Sequence, residues 1–240
     1  MSDAADCIGD GGCKGNGNCE GFNFSDFHAR NYQGTIWKTV RFFHRTNELL
    51  PRTVVLFPGS FHPPTVAHVE LARRALLFAD EIVFVLPEVF PHKTYDGVSA
   101  WERMMLLSGA IDGEDRFSVA QSEGGLFMEM AREFRELVDH GPRVMLLCGR
   151  DAAERIVGWD YGAGAGLGEQ LQEYELLVAA RSGDFEPPMG YRTRIHTLPL
   201  VSDMGHISAS EVRRRIESGE EWKALVPEAI REQVRLLYSR

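Results

Sequence analysis

The sequence has little of what marks membrane, secreted or nucleic-acid-binding proteins. Positive charge is in the minority, because 26 lysines and arginines stand against 35 acidic residues and give a formal net charge of −9. A nucleic-acid binder needs a basic face to neutralise phosphates, so we expect no nucleic-acid partner. No apolar run approaches the roughly 20 residues of a membrane span, and the chain does not open on a basic-then-apolar signal pattern. These absences predict a cytoplasmic protein without a membrane partner.

Cysteine is also scarce. The chain has four cysteines, and three of them, Cys7, Cys13 and Cys19, lie in a glycine-rich leader. Their spacing matches no paired Cys-x-x-Cys pattern, and a zinc or cluster site with His28 as the fourth ligand remains an alternative. A flexible leader with reduced thiols is the simpler interpretation, so we predict no metal site built by the protein.

Composition divides the chain into an extension over residues 1–50 and a main domain over residues 51–240. Residues 1–21 are rich in Gly, Asn and Asp and poor in apolar side chains, which predicts disorder. Residues 22–50 differ, and we predict that they are partly helical and pack on the main domain. Three apolar residues of this second part recur at helical spacing: Ile36, Val40 and Phe43.

Apolar strands and amphipathic helices alternate from residue 53 onwards. A strand at about 53–57, a helix at about 65–78 and a strand at 82–86 form a βαβ unit, which predicts a parallel, right-handed connection. Further strand patterns lie at 117–120, 144–148, 175–181 and 195–198, and further helix patterns begin near residues 99, 126, 208 and 227. This order predicts an α/β fold, with a doubly wound, Rossmann-like, mostly parallel sheet and helices on both faces.

Polar groups cluster where strands end or helices begin, which is the edge at which open parallel sheets bind ligands. They lie in three segments: Gly59-Ser60 with Thr65 and His68, Gly149-Arg150-Asp151, and Ile207-Ser208-Ala209-Ser210 with Arg213. The N–H groups at a helix start favour anions, so hydroxyls, a histidine and an arginine beside them predict a polyphosphate cradle. Lys93 is a further cationic candidate. From its position alone, His68 is equally suited to a local helix cap.

Two of these segments resemble the signatures of the nucleotidyltransferase α/β phosphodiesterase superfamily. Gly-Ser-Phe-His-Pro-Pro-Thr-Val-Ala-His at 59–68 resembles its Gly-Ser/Thr-Phe-Asp/Asn-Pro…His/Thr-x-Gly-His signature. Ile-Ser-Ala-Ser-Glu-Val-Arg at 207–213 resembles the second, Ile-Ser-Ser-Thr-x-x-Arg. From about residue 53 to 240 the chain is most similar to bacterial nicotinate/nicotinamide mononucleotide adenylyltransferases. The resemblance implies transfer of AMP from ATP to a mononucleotide, with Mg²⁺ present and pyrophosphate released.

The same resemblance implies roles for individual residues. The catalytic set would be His68, Thr65, Lys93 and Arg213, acting on the ATP phosphates. The ATP-binding set would be Gly59, Ser60, Phe61, Gly149, Asp151, Ile207, Ser208 and Ser210. Trp159 and Arg181 would bind the acceptor, with the indole stacked on its pyridine ring. Such enzymes work by positioning and electrostatics, which matches the absence of an obvious nucleophile–base pair in the sequence.

The chain departs from the adenylyltransferase pattern at three places. Ala67 replaces a glycine, and its methyl group is expected near a phosphate. His62 replaces Asp or Asn, and Leu126-Phe127-Met128 replaces a segment with a Tyr-Thr pair that helps to hold the pyridine nucleotide. Two alternatives therefore stay open: an adenylyl- or cytidylyltransferase with a phosphopantetheine or alcohol-phosphate acceptor, and a nucleotide-binding regulator without catalysis. The expected partners are ATP and a small phosphorylated acceptor, and the protein is a candidate homo-oligomer.

Overall fold

A seven-stranded sheet forms the centre of the structure, a computed structural model that describes residues 40–45, 51–88, 97–136, 141–162, 164–179, 185–199 and 204–239. The strands are β1 (Val40–Arg45), β2 (Thr53–Pro58), β3 (Glu81–Pro87), β4 (Phe117–Ser122), β5 (Arg143–Gly149), β6 (Glu175–Ala179) and β7 (Ile195–Leu198). The helices are α1 (Val66–Ala75), α2 (Ala100–Ala110), α3 (Phe127–Arg135), α4 (Arg150–Gly158), α5 (Leu167–Glu173), α6 (Ala209–Ser218) and α7 (Arg231–Tyr238). Within these ranges, no helix is both long and apolar enough to cross a membrane.

The strand order β1-β4-β3-β2-β5-β6-β7 places β2 at the centre of the sheet. From β2 the chain passes through parallel pairings to β3 and β4 on one side. It then crosses over, so that β5, β6 and β7 continue the parallel sheet on the other side of β2. The order therefore reverses between β2 and β5, which is where doubly wound sheets open a ligand crevice at their carboxyl edge.

The two faces of the sheet carry separate apolar clusters, because alternate side chains of a strand point to opposite faces. Val55 and Phe57 of β2 pack in one cluster with residues of α1 and α2. Val54 and Leu56 pack in the other with residues of α3, α4 and α5. Helices therefore cover both faces, and the predicted doubly wound α/β fold is confirmed.

A third apolar cluster joins the helices that flank the sheet on its α1 side. Ala67 of α1 and Leu106 of α2 are buried together with Val212 of α6 and Val234 of α7. The C-terminal helices are thereby fixed against the first helix of the βαβ unit. This packing sets the position of the N-terminus of α6 relative to that of α1.

The strand β1 corrects one expectation. The helical spacing predicts a helix that includes residues 40–45, but these residues pair antiparallel with β4 at the edge of the sheet. Val40 and Phe42 pack in the cluster beneath α3, so their burial on a sheet face outweighs the weak helical spacing. The compact unit that contains the sheet covers Ile36–Arg240. The predictions for residues 1–39, with their three cysteines, lie outside the described residues.

A buried carboxylate ties the last three strands together at the edge opposite the crevice. Glu175 opens β6 with a side chain only 8% exposed, and it accepts hydrogen bonds from Arg143 Nε at 2.8 Å and His196 Nε2 at 2.6 Å. Arg194 Nη1 lies 3.3 Å from the same carboxylate. Burial alone would raise the pKa of Glu175, but the bonds from Arg143 and His196 outweigh it and hold the pKa below its ordinary value.

Replacing this carboxylate is expected to destabilise the protein. Glu175→Ala leaves three donors around a buried gap and should lower the free energy of unfolding by roughly 1–3 kcal/mol. The matched control is Glu186→Ala, because Glu186 is 79% exposed in its pair with Arg192, and its loss should cost no more than about 0.5 kcal/mol. Urea denaturation at neutral pH measures both.

The difference between wild type and Glu175→Ala should also shrink as the pH falls through the acidic range, because a lowered carboxyl pKa stabilises only while the group is ionised. Equal losses for the two variants, or a pH-independent difference, would contradict the assigned role of Glu175.

Candidate active site

The turn between β2 and α1 lies at the carboxyl end of the central strand. Gly59 follows β2 and donates its N–H to the Val85 carbonyl over 3.0 Å. Phe61 has a positive φ of 44°, which is uncommon for a residue with a side chain, and its ring is buried. A Cβ on Gly59 would lie 2.9 Å from Cζ of that ring. The turn therefore requires glycine at this position, since the backbone closes directly over a buried ring.

Thr65 and His68 form the cap at the start of α1. The Thr65 N–H donates to His68 Nδ1 over 3.0 Å, and the Thr65 hydroxyl lies 2.8 Å from the same nitrogen. Because an N–H group can only donate, Nδ1 accepts, and a neutral ring carries its proton on Nε2. The ring also packs edge-on against Phe61, with centroids 5.2 Å apart. The local cap thus fixes the imidazole as an Nε2–H donor, so capping and ligand binding are compatible roles.

Arg213 brings the two signature segments together. It lies one turn into α6, and its Nη1 donates to the carbonyl of His62, in the turn after β2. Its Nη2 donates to the Ser210 hydroxyl over 3.3 Å. Ser208 caps the same helix by accepting from the Glu211 N–H over 3.1 Å. The bond therefore brings α6 against the turn that leads into α1, and the N-terminus of each helix is a favourable position for an anion.

A second arginine holds the same turn from another helix. Arg103 of α2 is only 5% exposed, and its Nη1 donates to the Ser60 carbonyl over 2.9 Å. Its Nε also donates to the Ser99 carbonyl over 3.4 Å, at the cap of its own helix. Two guanidinium groups thus bind two carbonyls of one short turn, which fixes that turn and concentrates positive charge beside it.

His62 lies between these arginines and stays neutral. Burial lowers the pKa of His62 to about 4, and the positive charges of Arg213 and Arg103 act in the same direction. Its Nδ1 lies 2.6 Å from the hydroxyl oxygen of Tyr238, at the end of α7. The residue that replaces the superfamily's Asp or Asn is therefore an uncharged, hydrogen-bonded ring.

The start of α4 borders the crevice from the β5 side. Gly149 is the last residue of β5 and the N-cap of α4, and nothing lies within 4 Å of where its Cβ would be. Asp151 follows in the first turn, and its side chain is exposed. Trp159 ends the helix with 63% of its surface exposed, which is unusual for so large an apolar side chain. The start of α4 therefore offers open backbone beside an exposed carboxylate, and the end of the helix offers an exposed aromatic surface.

Carboxylates hold the turn between β4 and α3, which contains one of the departures from the adenylyltransferase pattern. Glu133 accepts from the Gly124 N–H at 2.7 Å and from the Glu123 N–H at 3.2 Å. Glu129 accepts from the N–H groups of Gly125 and Leu126 at 3.1 and 3.0 Å. Two side chains of α3 therefore bind four consecutive backbone donors, which fixes this turn.

A protein-family model described as cytidylyltransferase-like matches residues 56–215, from the middle of β2 into α6. The match includes every segment of the site described above except α7. The chain belongs to the cytidylyltransferase-like family. This result confirms the resemblance drawn from the two signatures.

Curated relatives narrow the similarity within this family. A probable nicotinate-nucleotide adenylyltransferase of Thermus thermophilus is 31% identical over 187 residues, which cover 73% of this chain and 92% of the relative. A protein of the same description from Exiguobacterium sibiricum is 28% identical over 190 residues, covering 75% and 94%. A solved nicotinic acid mononucleotide adenylyltransferase of Plasmodium falciparum, complexed with NaAD, has a TM-score of 0.57 at 17% identity, covering 78% and 98%. That structure supports the fold alone.

Three sequence-predicted residues of this cytidylyltransferase-like site are buried: Thr65, Phe61 and Ile207. Thr65 is 0% exposed, and its hydroxyl is bonded within the cap of α1. The ring of Phe61 lies in the core with Phe57 and Phe84, so any contact with a nucleotide would come from its backbone. The side chain of Ile207 is buried with Val212 in the cluster between the helices. Phe61 and Ile207 are both apolar, so their side chains pack in the core. Lys93 and Arg181 lie outside the described residues.

The environment of Ala67 corrects an expectation about this family member. The sequence pattern places its methyl group near a phosphate, but the residue is 1% exposed and packs in the cluster with Leu106, Ile207 and Val212. The methyl therefore faces the interior rather than the crevice. Sequence reasoning also missed Arg103 and Tyr238, because nothing in a helical pattern indicates which polar side chain will reach a distant turn.

Gly59→Ala should disturb the site through Phe61. The ring that the new methyl group would meet is held by Phe57, Phe84 and His68, so it cannot move away at low cost. We expect a stability loss of about 1–3 kcal/mol by urea denaturation, which is typical of overpacking. Gly190→Ala is the control, since nothing lies within 4 Å of its added Cβ, and it should unfold like wild type. Wild-type stability of Gly59→Ala would contradict the closed packing of this turn.

Proposed function

We propose that this chain transfers the adenylyl group of ATP to nicotinate mononucleotide, forming the dinucleotide and releasing pyrophosphate. The observation that carries the proposal is the bond from Arg213 to the His62 carbonyl, which joins the two signature segments in one anion-binding site. The named relatives support the acceptor, since those described above are probable nicotinate-nucleotide adenylyltransferases that match nearly their whole length.

The chemistry needs donors rather than a base. A phosphate oxygen of the mononucleotide attacks the α-phosphorus of ATP, a new P–O bond forms, and the bond to the β-phosphate oxygen breaks. A phosphomonoester is largely ionised at neutral pH, its second pKa being about 6, so no side chain has to remove a proton from it. The requirement is to bring two anions together and to stabilise the negative charge on the transferring and leaving groups.

The residues at the two helix starts fit this requirement. In our proposal the Nε2–H of His68 and the Thr65 region contact the phosphates near the α-phosphorus. Arg213, Ser208 and Ser210 bind the β- and γ-phosphates. Gly59 and Ser60 give the nucleotide room against backbone. Each lost donor in such a site costs about 3–4 kcal/mol of barrier at most, so several must act together.

Adenosine and the acceptor are assigned to the β5 side of the crevice. Gly149 and Asp151 would border adenosine, where the open space beside the Gly149 backbone leaves room for a ring. Trp159 would stack on the pyridine, and its exposed indole is suited to that contact. Lys93 and Arg181 remain proposals from the sequence alone, as catalytic and acceptor-binding residues respectively.

Mg²⁺ would enter this site on its substrate. Among the described residues, no three His, Cys, Asp or Glu side chains lie close enough together to hold a metal ion. Magnesium commonly keeps several waters and binds to substrate phosphates with one or two protein oxygens at most. A site rich in N–H donors fits the phosphates of Mg-ATP, and the ion would neutralise part of the charge that builds up during transfer. Such a small-molecule reaction agrees with the cytoplasmic location expected from the sequence.

His68→Ala should remove the donor beside the α-phosphate and lower kcat by about 100- to 1,000-fold. The assay follows pyrophosphate release from ATP and Mg²⁺ with nicotinate mononucleotide, and in parallel with nicotinamide mononucleotide. His206→Ala is the matched control, because His206 is exposed close to the second signature segment, and it should keep wild-type activity.

The wild-type reaction tests the function itself. Pyrophosphate release with nicotinate mononucleotide supports the proposal, and preference for the nicotinamide compound would move the assignment to that acceptor. If wild type released no pyrophosphate with either mononucleotide, the proposed reaction would be wrong.

Arg213 and its neighbour Arg214 offer a second matched comparison. Arg213→Ala removes both a phosphate donor and the bond to the His62 carbonyl, so kcat/KM for ATP should fall by at least about 100-fold. Arg214 instead pairs with Glu211 and Glu220 on the exposed face of α6, and Arg214→Ala should change kcat/KM less than about twofold. Steady-state kinetics with varied ATP measures both. Similar kinetics for the two variants would exclude a specific role for Arg213.

A further inference from the structure

The turn between β2 and α1 is held from three helices, of which only α6 carries a signature residue. Arg213 of α6 binds the His62 carbonyl, and Arg103 of α2 binds the Ser60 carbonyl. The third contact comes from α7, where the Tyr238 hydroxyl oxygen lies 2.6 Å from Nδ1 of His62. This last contact holds a side chain of the turn, whereas the two arginines hold its backbone.

We propose that Tyr238 is a positioning residue for the phosphate-binding turn and acts through the ring of His62. The inference rests on the proposed function, because it assigns Tyr238 to the ATP side of that site. The role is indirect, since the hydroxyl contacts His62 and the turn in turn contacts the nucleotide.

The position of Tyr238 is itself fixed. Val234 of α7 is fully buried and Ile230, just before the helix, is 2% exposed, both in the cluster that also contains Ala67. Tyr238 lies one turn beyond Val234 and is partly buried against the same cluster. Its ring packs at a tilt against that of His62, with centroids 5.1 Å apart. The helix therefore presents the hydroxyl to the turn from a rigid base.

The electrostatic surroundings favour this pairing over a charged one. His62 faces Arg213 from α6, Arg103 from α2 and Tyr238 from α7, so a protonated ring would add a third positive charge to two guanidinium groups. The pKa of His62 is accordingly low, near 4, and burial raises the pKa of Tyr238 well above its ordinary value. Both partners are uncharged at neutral pH. They can therefore form a strong hydrogen bond without disturbing the positive potential that the phosphates require.

The test compares Tyr238→Phe with Tyr174→Phe. Each variant loses one tyrosine hydroxyl and one side-chain hydrogen bond, but Tyr174 bonds to Gln170 in the cluster on the other face of the sheet. We expect Tyr238→Phe to raise KM for ATP by about fivefold to tenfold, which is the effect of one net hydrogen bond. KM for the mononucleotide should stay unchanged. Tyr174→Phe should lower thermal stability about as much as Tyr238→Phe does, but it should leave the KM values for ATP and for the mononucleotide as in wild type.

A double-mutant cycle tests whether the effect passes through His62. His62→Leu should raise KM for ATP as Tyr238→Phe does, and the double variant should be no worse than either single one. His62→Asn should have a KM for ATP close to that of wild type, unlike His62→Leu. The amide oxygen of the asparagine can replace Nδ1 of His62 as the partner of the Tyr238 hydroxyl. Additive effects of the two single variants, or failure of the asparagine to restore KM, would show that Tyr238 does not act through this ring.

Calorimetric titration tests the positioning role of Tyr238 separately from the proposed adenylyl transfer. The ligand is an ATP analogue that has a methylene group between the α- and β-phosphorus. Weaker analogue binding by Tyr238→Phe, with unchanged binding by Tyr174→Phe, supports the positioning role even if wild type proved inactive with nicotinate mononucleotide. If wild type is active and the two variants bind the analogue equally well, the proposed function stands and the role of Tyr238 is refuted.

Discussion

The structure of the site depends on the hydrogen bond from the Arg213 guanidinium to the backbone carbonyl of His62. The two residues are far apart in sequence. His62 lies in the turn after the central strand β2, and Arg213 lies in α6, which follows the last strand of the sheet. The polyphosphate site that we propose needs both segments, since each supplies only one helix N-terminus. The bond joins the two segments, and the helices α2 and α7 then support the turn from the remaining sides.

The site also shows how a strongly acidic chain can bind a polyanion. The protein carries a formal net charge of −9, yet the turn after β2 lies between two guanidinium groups and is flanked by two helix N-termini. His62, which stands where the superfamily has Asp or Asn, adds no negative charge there, and its low pKa keeps the ring neutral. Local donors at distances of a few ångströms outweigh a charge that is spread over the surface and screened by salt.

The fold could be predicted largely from the sequence because its signals are local. Buried parallel strands such as β3 appear as short apolar runs, and the capping box of Ser99 and Glu102 marks the start of α2. Edge strand β1 was not predicted, since its pairing with β4 depends on partners far along the chain. The same distinction holds in the site. The sequence names its signature residues as candidates but not Arg103 and Tyr238, because their contacts with the turn arise only when helices pack against a turn distant in sequence.

The burial of Ala67 has a geometric consequence. Its methyl group lies in the apolar cluster that separates α1 from α6, together with Ile207 and Val212. Close-packed interiors transmit changes of a single methyl group, so the size of this side chain contributes to the separation of the two helices. In the proposed function, these two helix starts bind neighbouring phosphates of ATP. Ala67 thus influences the relative position of the two helix starts from within the core.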